Sequence, residues 1–426
     1  MKAPLLLAAL LAFITAPVSA NSDLLDIWQL SRNSDTSLAV ANIQEDISNV
    51  QVDQGLARLL PNVSGNSSYT YSGDDFNIQW DQGNLVYGLT VAQPLYYQNA
   101  FYYYDAFKQK ATGRGYLTAA AEQNLMLNVL EHYFNVLRAQ DTVKLGEAEL
   151  RAVERQLEQT EKHYEVGLVA ITDVLDAQAS HISSKVSLIT AQGNHQNSLQ
   201  ALAVLTGELP DSVAALPELI QIPEVDMMTI EQWIQTAESQ HPALMAEQKN
   251  LDFLTLSKKA KSSERLPTLD AVYSYSDNEA SNGGIPTSSF RLGVNIPIYS
   301  GGKLSAEVIE AGLSLNAAEQ GYEQLRRNIE LNLRLVHRKI STDKLNLQAL
   351  DQAVKSRESA LKATEVGYEV GTRNIVEVLN AQRALFAVKL QHRMAQYDLI
   401  IDQLKIKQAA GSLSETDLSD LNILLQ

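Results

Sequence analysis

Hydrophobic and polar residues alternate with a period of two along two pairs of short segments. The clearest segment places Phe290, Leu292, Val294, Ile296 and Ile298 between small or polar neighbours. A second segment does the same around residues 87–92, and weaker versions precede both, around 62–71 and 268–276. This pattern predicts four β-strands, each with one apolar and one polar or small face. Proline marks the predicted junctions between strands and helices, at Pro61, Pro94, Pro267 and Pro297.

Very long proline-free segments follow each pair of strands, at about 101–165 and 303–368. A continuous helix of this length would reach roughly 100 Å at about 1.5 Å per residue. Spacings of three and four residues predict coiled-coil seams, through Leu150, Val153, Leu157, Thr160 and Tyr164, and through Leu361, Thr364 and Tyr368. Helices predicted at about 170–207 and 374–410 are the antiparallel partners. Shorter helices, at about 24–58 and 230–265, precede the strands.

An internal repeat organises the chain. The segment YEVGLVAITDVLDAQ at 164–178 shares nine identities in fifteen with YEVGTRNIVEVLNAQ at 368–382, 204 residues later. Similar spacings relate Trp28 to Trp233 and Pro61 to Pro267. A period this long predicts two copies of one large unit rather than a solenoid. We therefore divide the mature chain into a first repeat (21–215), a linker (216–229), a second repeat (230–413) and a C-terminal segment (414–426).

Four strands are too few to form a closed barrel. An open sheet edge is not tolerated in hydrocarbon, so strands that lie in a membrane would require several copies of the chain. An ordinary half-buried sheet is the alternative, but the sequence offers no further strands to cover the apolar face. The segments at about 73–84 and 277–288 carry charges and glycine, and are predicted as loops facing the exterior.

The first twenty residues have the pattern of a signal peptide. Lys2 precedes an apolar stretch at 5–14, and Val18-Ser19-Ala20 fits the small residues that a signal peptidase recognises. The apolar stretch is about half the length that a transmembrane helix needs, so we expect export. Cysteine is absent, which excludes disulfides, thiolate metal sites and a lipid-modified cysteine.

The charge and the histidine spacing exclude several classes of function. With 34 basic and 50 acidic residues the net charge is −16, which argues against nucleic acid as a partner. Solubility and an acidic lumen both remain explanations of that charge. The seven histidines show no HExxH spacing, and no P-loop, GxSxG or GxGxxG motif occurs. The sequence therefore predicts no enzyme, no cofactor and no metal site.

Five segments resemble the TolC family of outer-membrane efflux proteins, in matching order along the mature chain. They are GLVAITDV (167–174), LPTLD (266–270), IPIYSGG (296–302), GTRNIVEVL (371–379) and QLKIKQAAGSL (403–413). The resemblance implies a homotrimeric outer-membrane channel for efflux and type I secretion. Three sets of four strands would form a twelve-stranded membrane β-barrel, which a coiled-coil helical barrel continues into the periplasm.

The same resemblance implies partners and a gate. The partners would be a periplasmic adaptor, an inner-membrane pump of the RND, ABC or MFS type, and outer-membrane lipid. The far end of the helical tunnel would be closed at rest by links between the two hairpins, which correspond to Thr172, Asp173, Tyr368 and Arg373. An arginine and a tyrosine facing a carboxylate can form charge-assisted hydrogen bonds. Solvated surface is the alternative for each residue alone.

A departure from the family pattern lies in the second-repeat turn. Where the family has two aspartates, this chain has Glu377 and Asn380. The resemblance implies that three copies of Glu377 would form a pore constriction, to which Asp176 could add charge. Such a carboxylate ring attracts cations and titrates as a coupled set. A surface carboxylate remains the alternative for Glu377 and Asp176.

The two repeated turns resemble the family's docking sites for adaptor hairpins. The residues concerned are Val166, Gly167 and Leu168 in the first repeat and Val370, Gly371 and Thr372 in the second. Glycine permits a tight chain reversal, so a purely structural turn is the alternative. For the whole chain, the competing function is a periplasmic scaffold or adaptor without a pore. Alternating strands in both repeats favour the channel.

Overall fold

The chain folds as two consecutive copies of the same order of helices and strands. A computed structural model describes residues 23–71, 83–209, 213, 228–280 and 285–425. The first copy consists of α1 (Leu24–Ser34), α2 (Thr36–Ala57), β1 (Asn62–Tyr71), β2 (Gly83–Tyr96), α3 (Gln98–Glu165) and α4 (Ile171–Thr206). The second consists of α5 (Ile230–Gln240), α6 (Pro242–Ser263), β3 (Thr268–Ala280), β4 (Thr287–Asn295), α7 (Lys303–Glu369) and α8 (Ile375–Ala409), followed by α9 (Glu415–Leu425). The predicted signal peptide, most of the predicted linker and the loop residues 73–82 and 281–284 lie outside the described ranges.

The four strands form one antiparallel sheet in the order β1-β2-β3-β4, and the β2–β3 pair joins the two repeats. Directly paired residues lie on the same face of a sheet. Val63, Val91, Tyr273 and Phe290 are paired in one row across all four strands. Three of these side chains are exposed, at 62% for Val63, 43% for Tyr273 and 68% for Phe290. The predicted apolar face is therefore confirmed, and in the protomer it is uncovered.

The strand boundaries differ from those predicted. β3 continues to Ala280, so residues 277–280, which were predicted as loop, are paired with β2. β4 ends at Asn295, and Ile296 and Ile298 lie beyond it, because Pro297 supplies no N–H for a ladder hydrogen bond. Pro94 lies inside β2, at an irregularity of the β2–β3 register, where a missing donor is tolerated.

The two long helices are continuous, as predicted. α3 has 68 residues and α7 has 67, so each is about 100 Å long. α4 runs back along α3, and α8 runs back along α7, which gives two long antiparallel hairpins. No helix in the described part of the chain is long and apolar enough to cross a membrane.

The shorter helices that precede the strands were predicted as continuous but are broken once in each repeat. The first breaks at Asp35, whose carboxylate accepts a hydrogen bond from the N–H of Leu38 at 2.7 Å and caps α2. The second breaks at His241, whose Nδ1 accepts from the N–H of Ala243 at 3.2 Å, directly before Pro242. Capping side chains and a first-turn proline both favour a new helix start at these positions.

The main hydrophobic core lies where α1, α3, α4, α8 and α9 meet, far from both hairpin tips. Trp28 and Tyr397 are buried there, and Trp233 is buried in a second cluster against α7 and α8. The C-terminal segment contributes α9, which holds the first helix in place. Glu415 accepts hydrogen bonds from the Trp28 indole at 3.0 Å and from Arg32 at 2.8 Å.

Candidate functional site

The two hairpin tips are equivalent chain reversals. The helix before each tip ends in a glycine with positive φ, +78° at Gly167 and +76° at Gly371. In each tip the N–H after the glycine bonds a helix carbonyl at 2.8 Å, from Leu168 to His163 and from Thr372 to Gly367. This is the left-handed helix end that glycine favours. A Cβ at either glycine would meet nothing within 4 Å, so the backbone angle and not crowding requires glycine.

The predicted docking residues are exposed at these tips. Val166, Leu168 and Val370 are 69%, 72% and 68% exposed, respectively. Thr372 is also exposed, and its hydroxyl donates to the carbonyl of Gly367 at 3.0 Å within its own turn. Large apolar side chains at the end of a long hairpin are available to a second protein.

Within one protomer, the four predicted gate residues are not joined. Arg373 forms an ion pair with Glu377 in its own hairpin, at 2.5 Å. Tyr368 stacks on His163 of the first hairpin, with ring centroids 6.2 Å apart. The buried Tyr368 hydroxyl has no hydrogen-bond partner among the described residues. The predicted links from Tyr368 and Arg373 to Thr172 and Asp173 are therefore not intramolecular in this structure, and the gate assignment stays a prediction about the assembled protein.

A small apolar cluster holds the two hairpins together near the tips. Val153 of α3 packs against Ile375, Val378 and Leu379 of α8, with Leu361 and Tyr368 of α7 beside them. Val153 and Thr160 are buried as the predicted seam requires. Gln156 replaces Leu157 as the buried residue between them, because α3 packs on both α4 and α8 and not on one partner.

A cavity of about 390 Å³ lies beside this cluster, between α3, α7 and α8. Gln156 and Gln382 line it, and one amide atom of each is buried without a partner among the described residues. An unpaired buried amide atom costs about 1 to 3 kcal/mol. The packing between the hairpins is therefore incomplete at this level.

The predicted constriction residues point away from the packed side of α8. Ile375, Val378 and Leu379 are buried, whereas Glu377 is half-buried and Asn380 is exposed. Positions 377 and 380 are one helical turn apart, on the opposite face to that packed side. The N–H of Glu377 donates to the side chain of Asn374, which caps α8, at 3.0 Å. Asp176 is exposed on α4.

A polar network that no sequence motif indicates joins the two hairpins far from the tips. Asp141 of α3 accepts from Arg393 at 2.6 Å and from the Tyr397 hydroxyl, both on α8. Arg138 of α3 pairs with Asp398 of α8. Burial, together with the hydrogen bond to Asp141, raises the pKa of Tyr397. These contacts join residues more than 250 positions apart, so no local sequence signal could have found them.

One missed contact did have a local signal. Arg373 and Glu377 are four residues apart at the start of α8, a spacing at which opposite charges pair. Among the described residues, no group of three or more His, Asp or Glu side chains is placed to hold a metal ion.

Comparison with known proteins identifies the fold and its relatives. The family model for outer membrane efflux proteins matches residues 27–208 and again residues 233–412. Outer membrane protein TolC of Vibrio cholerae serotype O1 is 34% identical over 427 residues, which cover 98% of this chain and 97% of the relative. Outer membrane protein TolC of Escherichia coli strain K12 is 30% identical over 95% of this chain and 85% of the relative.

Solved structures agree with this fold. CusC superposes with a TM-score of 0.81 at 18% identity, over 92% of each chain. The outer membrane protein VceC from Vibrio cholerae gives a TM-score of 0.78 at 17% identity, over 91% of this chain and 96% of VceC. At these identities the likeness concerns the arrangement of helices and strands alone.

Proposed function

The chain belongs to the outer membrane efflux protein family, and from that premise we infer that it is an outer-membrane channel of efflux and type I secretion systems that extends into the periplasm. It is a transport protein of a family of channels. Its partners in such systems are adaptor and pump proteins. We propose further that it acts as a homotrimer in contact with outer-membrane lipid.

The two free edges of the sheet carry this proposal. β1 and β4 lie at the ends of the sheet, so each has one edge without a strand partner among the described residues. An exposed edge beside an apolar face is a strong site for pairing with another chain. Within the protomer, β2 of the first repeat pairs with β3 of the second. The same relation between repeats would pair β4 of one copy with β1 of the next.

The helices support the same assembly. α6 packs along two long helices, α7 of its own repeat and α3 of the other repeat. Its counterpart α2 packs along α3, the long helix of its own repeat. α2 carries a stripe of apolar residues, each more than half exposed, at Val40, Ile43, Ile47 and Val50. Spacings of three and four residues are those of a helix-packing seam. By the repeat relation, this stripe would pack on α7 of the neighbouring copy.

A head-to-tail contact of this kind gives a closed ring if the rotation that relates one copy to the next returns to the first copy after a whole number of copies. Three copies, the number that the family resemblance implies, would give a barrel of twelve strands above two hairpins from each protomer. We propose that the exposed tips at Val166, Gly167, Leu168, Val370, Gly371 and Thr372 receive the adaptor. The gate would consist of Thr172, Asp173, Tyr368 and Arg373, and Glu377, Asn380 and Asp176 would line the constriction.

A disulfide test can examine the strand pairing directly, because the chain has no cysteine. Strands β1 and β3 are related by 206 residues, and β2 and β4 by 203, so the Val91–Tyr273 pair within the protomer corresponds to Val294 beside Ser67 of the next copy. The variant Ser67→Cys/Val294→Cys should form disulfide-linked trimers on mild oxidation. The matched control Ser68→Cys/Val294→Cys places the two thiols on opposite faces of the sheet and should not.

Native mass spectrometry in detergent and conductance in planar bilayers complete the test. We expect a trimer and discrete channels. A folded monomer, or a protein that a salt wash releases from membranes, would contradict the channel and favour the periplasmic scaffold.

A further inference from the structure

We infer that four basic residues at the junctions between strands and helices form a binding collar for anionic phospholipid, in the membrane leaflet on the helical side of the barrel. The four residues, which we call the junction cations, are Arg58, Lys108, Arg265 and Lys303. All four side chains are exposed. This inference rests on the proposed insertion of the strands in a membrane, and it goes beyond that proposal by naming the lipid class that the chain selects.

The charge at this level of the molecule opposes the charge of the whole chain. The segments 58–61, 97–108, 258–267 and 296–307, which flank the strands, contain seven basic and three acidic residues, although the complete chain has a net charge of −16. Arg58 and Arg265 have no ion-pair partner among the described residues. Lys108 and Lys303, both exposed, lie 3.3 and 3.8 Å from the carboxylates of Asp105 and Glu307. Exposed ion pairs of this kind are weak, so they leave the cations available.

The order of side chains is the same at every junction. Moving from strand to helix, an exposed apolar or aromatic residue comes first and a cation follows. Going from β1 back to α2, Leu60 is met before Arg58, and going from β3 back to α6, Leu266 is met before Arg265. Tyr96 and Phe101 lie before Lys108, and Ile298 and Tyr299 lie before Lys303.

That order is the one found across a bilayer interface. Apolar residues lie at the acyl chains, aromatic rings at the interface, and long basic side chains extend to the phosphates. Two of the cations are also supported by tyrosine rings. The Arg58 guanidinium lies 5.4 Å from the Tyr103 ring, and the Lys108 ammonium lies 3.9 Å from the Tyr104 ring.

Helix dipoles explain only half of this arrangement. Arg58 and Arg265 follow the C-terminal ends of α2 and α6, where a positive charge is favourable. Lys303 is the first residue of α7, where the helix dipole disfavours a positive charge. Lys108 is the eleventh residue of α3, too far from either helix end for the dipole to act. Cations collect at this level whichever way the helix runs, which indicates an anion outside the protein. A leaflet of phosphodiester head groups beside the exposed apolar face of the sheet is that anion.

Lipid competition tests the collar. The full mature protein would be reconstituted in nanodiscs of phosphatidylethanolamine with one fifth phosphatidylglycerol, and the lipids retained by the trimer counted by native mass spectrometry. Each basic residue near an anionic surface contributes about a five-fold preference for anionic over neutral lipid. The quadruple variant Arg58→Gln/Lys108→Gln/Arg265→Gln/Lys303→Gln should lower the ratio of retained phosphatidylglycerol to retained phosphatidylethanolamine at least five-fold.

A matched control separates position from net charge. The variant Arg151→Gln/Lys162→Gln/Lys355→Gln/Lys362→Gln removes four exposed cations from the hairpins and should keep the enrichment of the wild type. The variant Arg58→Lys/Arg265→Lys/Lys303→Arg keeps the positive charge and should keep the enrichment, which separates loss of charge from a change of side chain, and the yield of folded trimer is compared in all variants. Equal enrichment in the quadruple variant and the wild type, or an equal loss in the control, would overturn the inference.

Two further outcomes locate the phosphate. Lipid A is another source of phosphate, and displacement of phosphatidylglycerol from the wild type by lipid A would overturn the leaflet assignment. A fluorophore on Tyr299→Cys should be quenched by nitroxide lipids and poorly by iodide; the reverse result would place this junction in the aqueous lumen. If the wild type does not insert in nanodiscs, the proposed channel itself fails. If it inserts without lipid preference, only the collar fails.

Discussion

Tyr368 and Arg373 provide the sharpest test of the proposed gate. In the protomer the Tyr368 hydroxyl is buried without a partner among the described residues, and Arg373 pairs within its own hairpin. If the closed trimer uses both residues to hold neighbouring hairpins, the change Tyr368→Phe/Arg373→Ser removes those links and leaves the apolar cluster around Val153 intact. The variant should therefore open the tip without unfolding the protomer.

The expected change in the free energy of opening depends on how well the two side chains are shielded from water. A hydrogen bond from the shielded Tyr368 hydroxyl is worth about 1 to 1.5 kcal/mol. The Arg373 side chain is 59% exposed, so an ion pair from it to a neighbouring hairpin would contribute about 0.5 kcal/mol. The sum is about 1.5 to 2 kcal/mol per protomer, or about 5 kcal/mol if three protomers open together. That corresponds to a shift of the closed-to-open ratio by roughly three to four powers of ten.

Resting conductance in planar bilayers measures this shift. The double variant should spend most of its time in a high-conductance state and should sensitise cells to vancomycin, with normal trimer yield. The matched control is Tyr164→Phe/Arg151→Ser, which changes the repeat counterpart of Tyr368 and an exposed arginine of the first hairpin. Closed-level conductance in well-folded trimers of the Tyr368→Phe/Arg373→Ser variant would refute the assignment of these residues to the gate.

Three further predictions concern the constriction, the tips and the broken helix. Glu377→Ala should weaken cation preference and block by multivalent cations in single-channel recordings, and Asn380→Asp should strengthen both; no change in either variant would place these residues off the pore axis. Gly371→Ala should destabilise the second hairpin by about 1 to 2 kcal/mol because its φ is +76°, whereas Gly321→Ala inside α7 should be neutral or stabilising by up to about 1 kcal/mol, as thermal unfolding would measure. Burial lowers the pKa of His241, so its contribution to stability is complete above its unfolded value of about 6.5 and is lost as the pH falls through the folded pKa. The melting temperature should therefore drop between pH 7.5 and 5.5 in the wild type, and should drop less in His241→Asp, which carries the residue type of the Asp35 cap; equal drops would exclude this residue as the source.

The long-range architecture was predictable because its signals are periodic or repeated. Alternation around Phe290 predicted a strand, and the match between 164–178 and 368–382 predicted two equivalent tips. Where one residue decides a boundary, the prediction was wrong. Neither Asp35 nor His241 interrupts the hydrophobic pattern strongly, yet each caps a new helix. The alternation around Phe290 continues to Ile298, although β4 ends at Asn295, two residues before Pro297.

The candidate site was predictable only as a position along the chain. The sequence placed Tyr368, Arg373 and Glu377 in one turn, but which side chains meet depends on how the hairpins pack. In the structure Arg373 pairs with Glu377 of its own helix, whereas the proposed gate would pair it with another hairpin. The network around Asp141 depends on the crossing of α3 and α8, which no spacing within either helix encodes.

The near-equal lengths of α3 and α7 determine how far both hairpin tips lie from the sheet. Both helices start at the sheet and end at a reversal, so their 68 and 67 residues bring the two tips to the same distance from the membrane. An insertion in one repeat would stagger the tips and rotate every side chain below it by about 100° per residue. A longer duct would need the same number of residues added to α3, α4, α7 and α8 at once. Additions in steps of about seven residues would keep the helix-packing seams in register. Duplication of one unit thus fixes the length of the duct more firmly than the sequence of either half does.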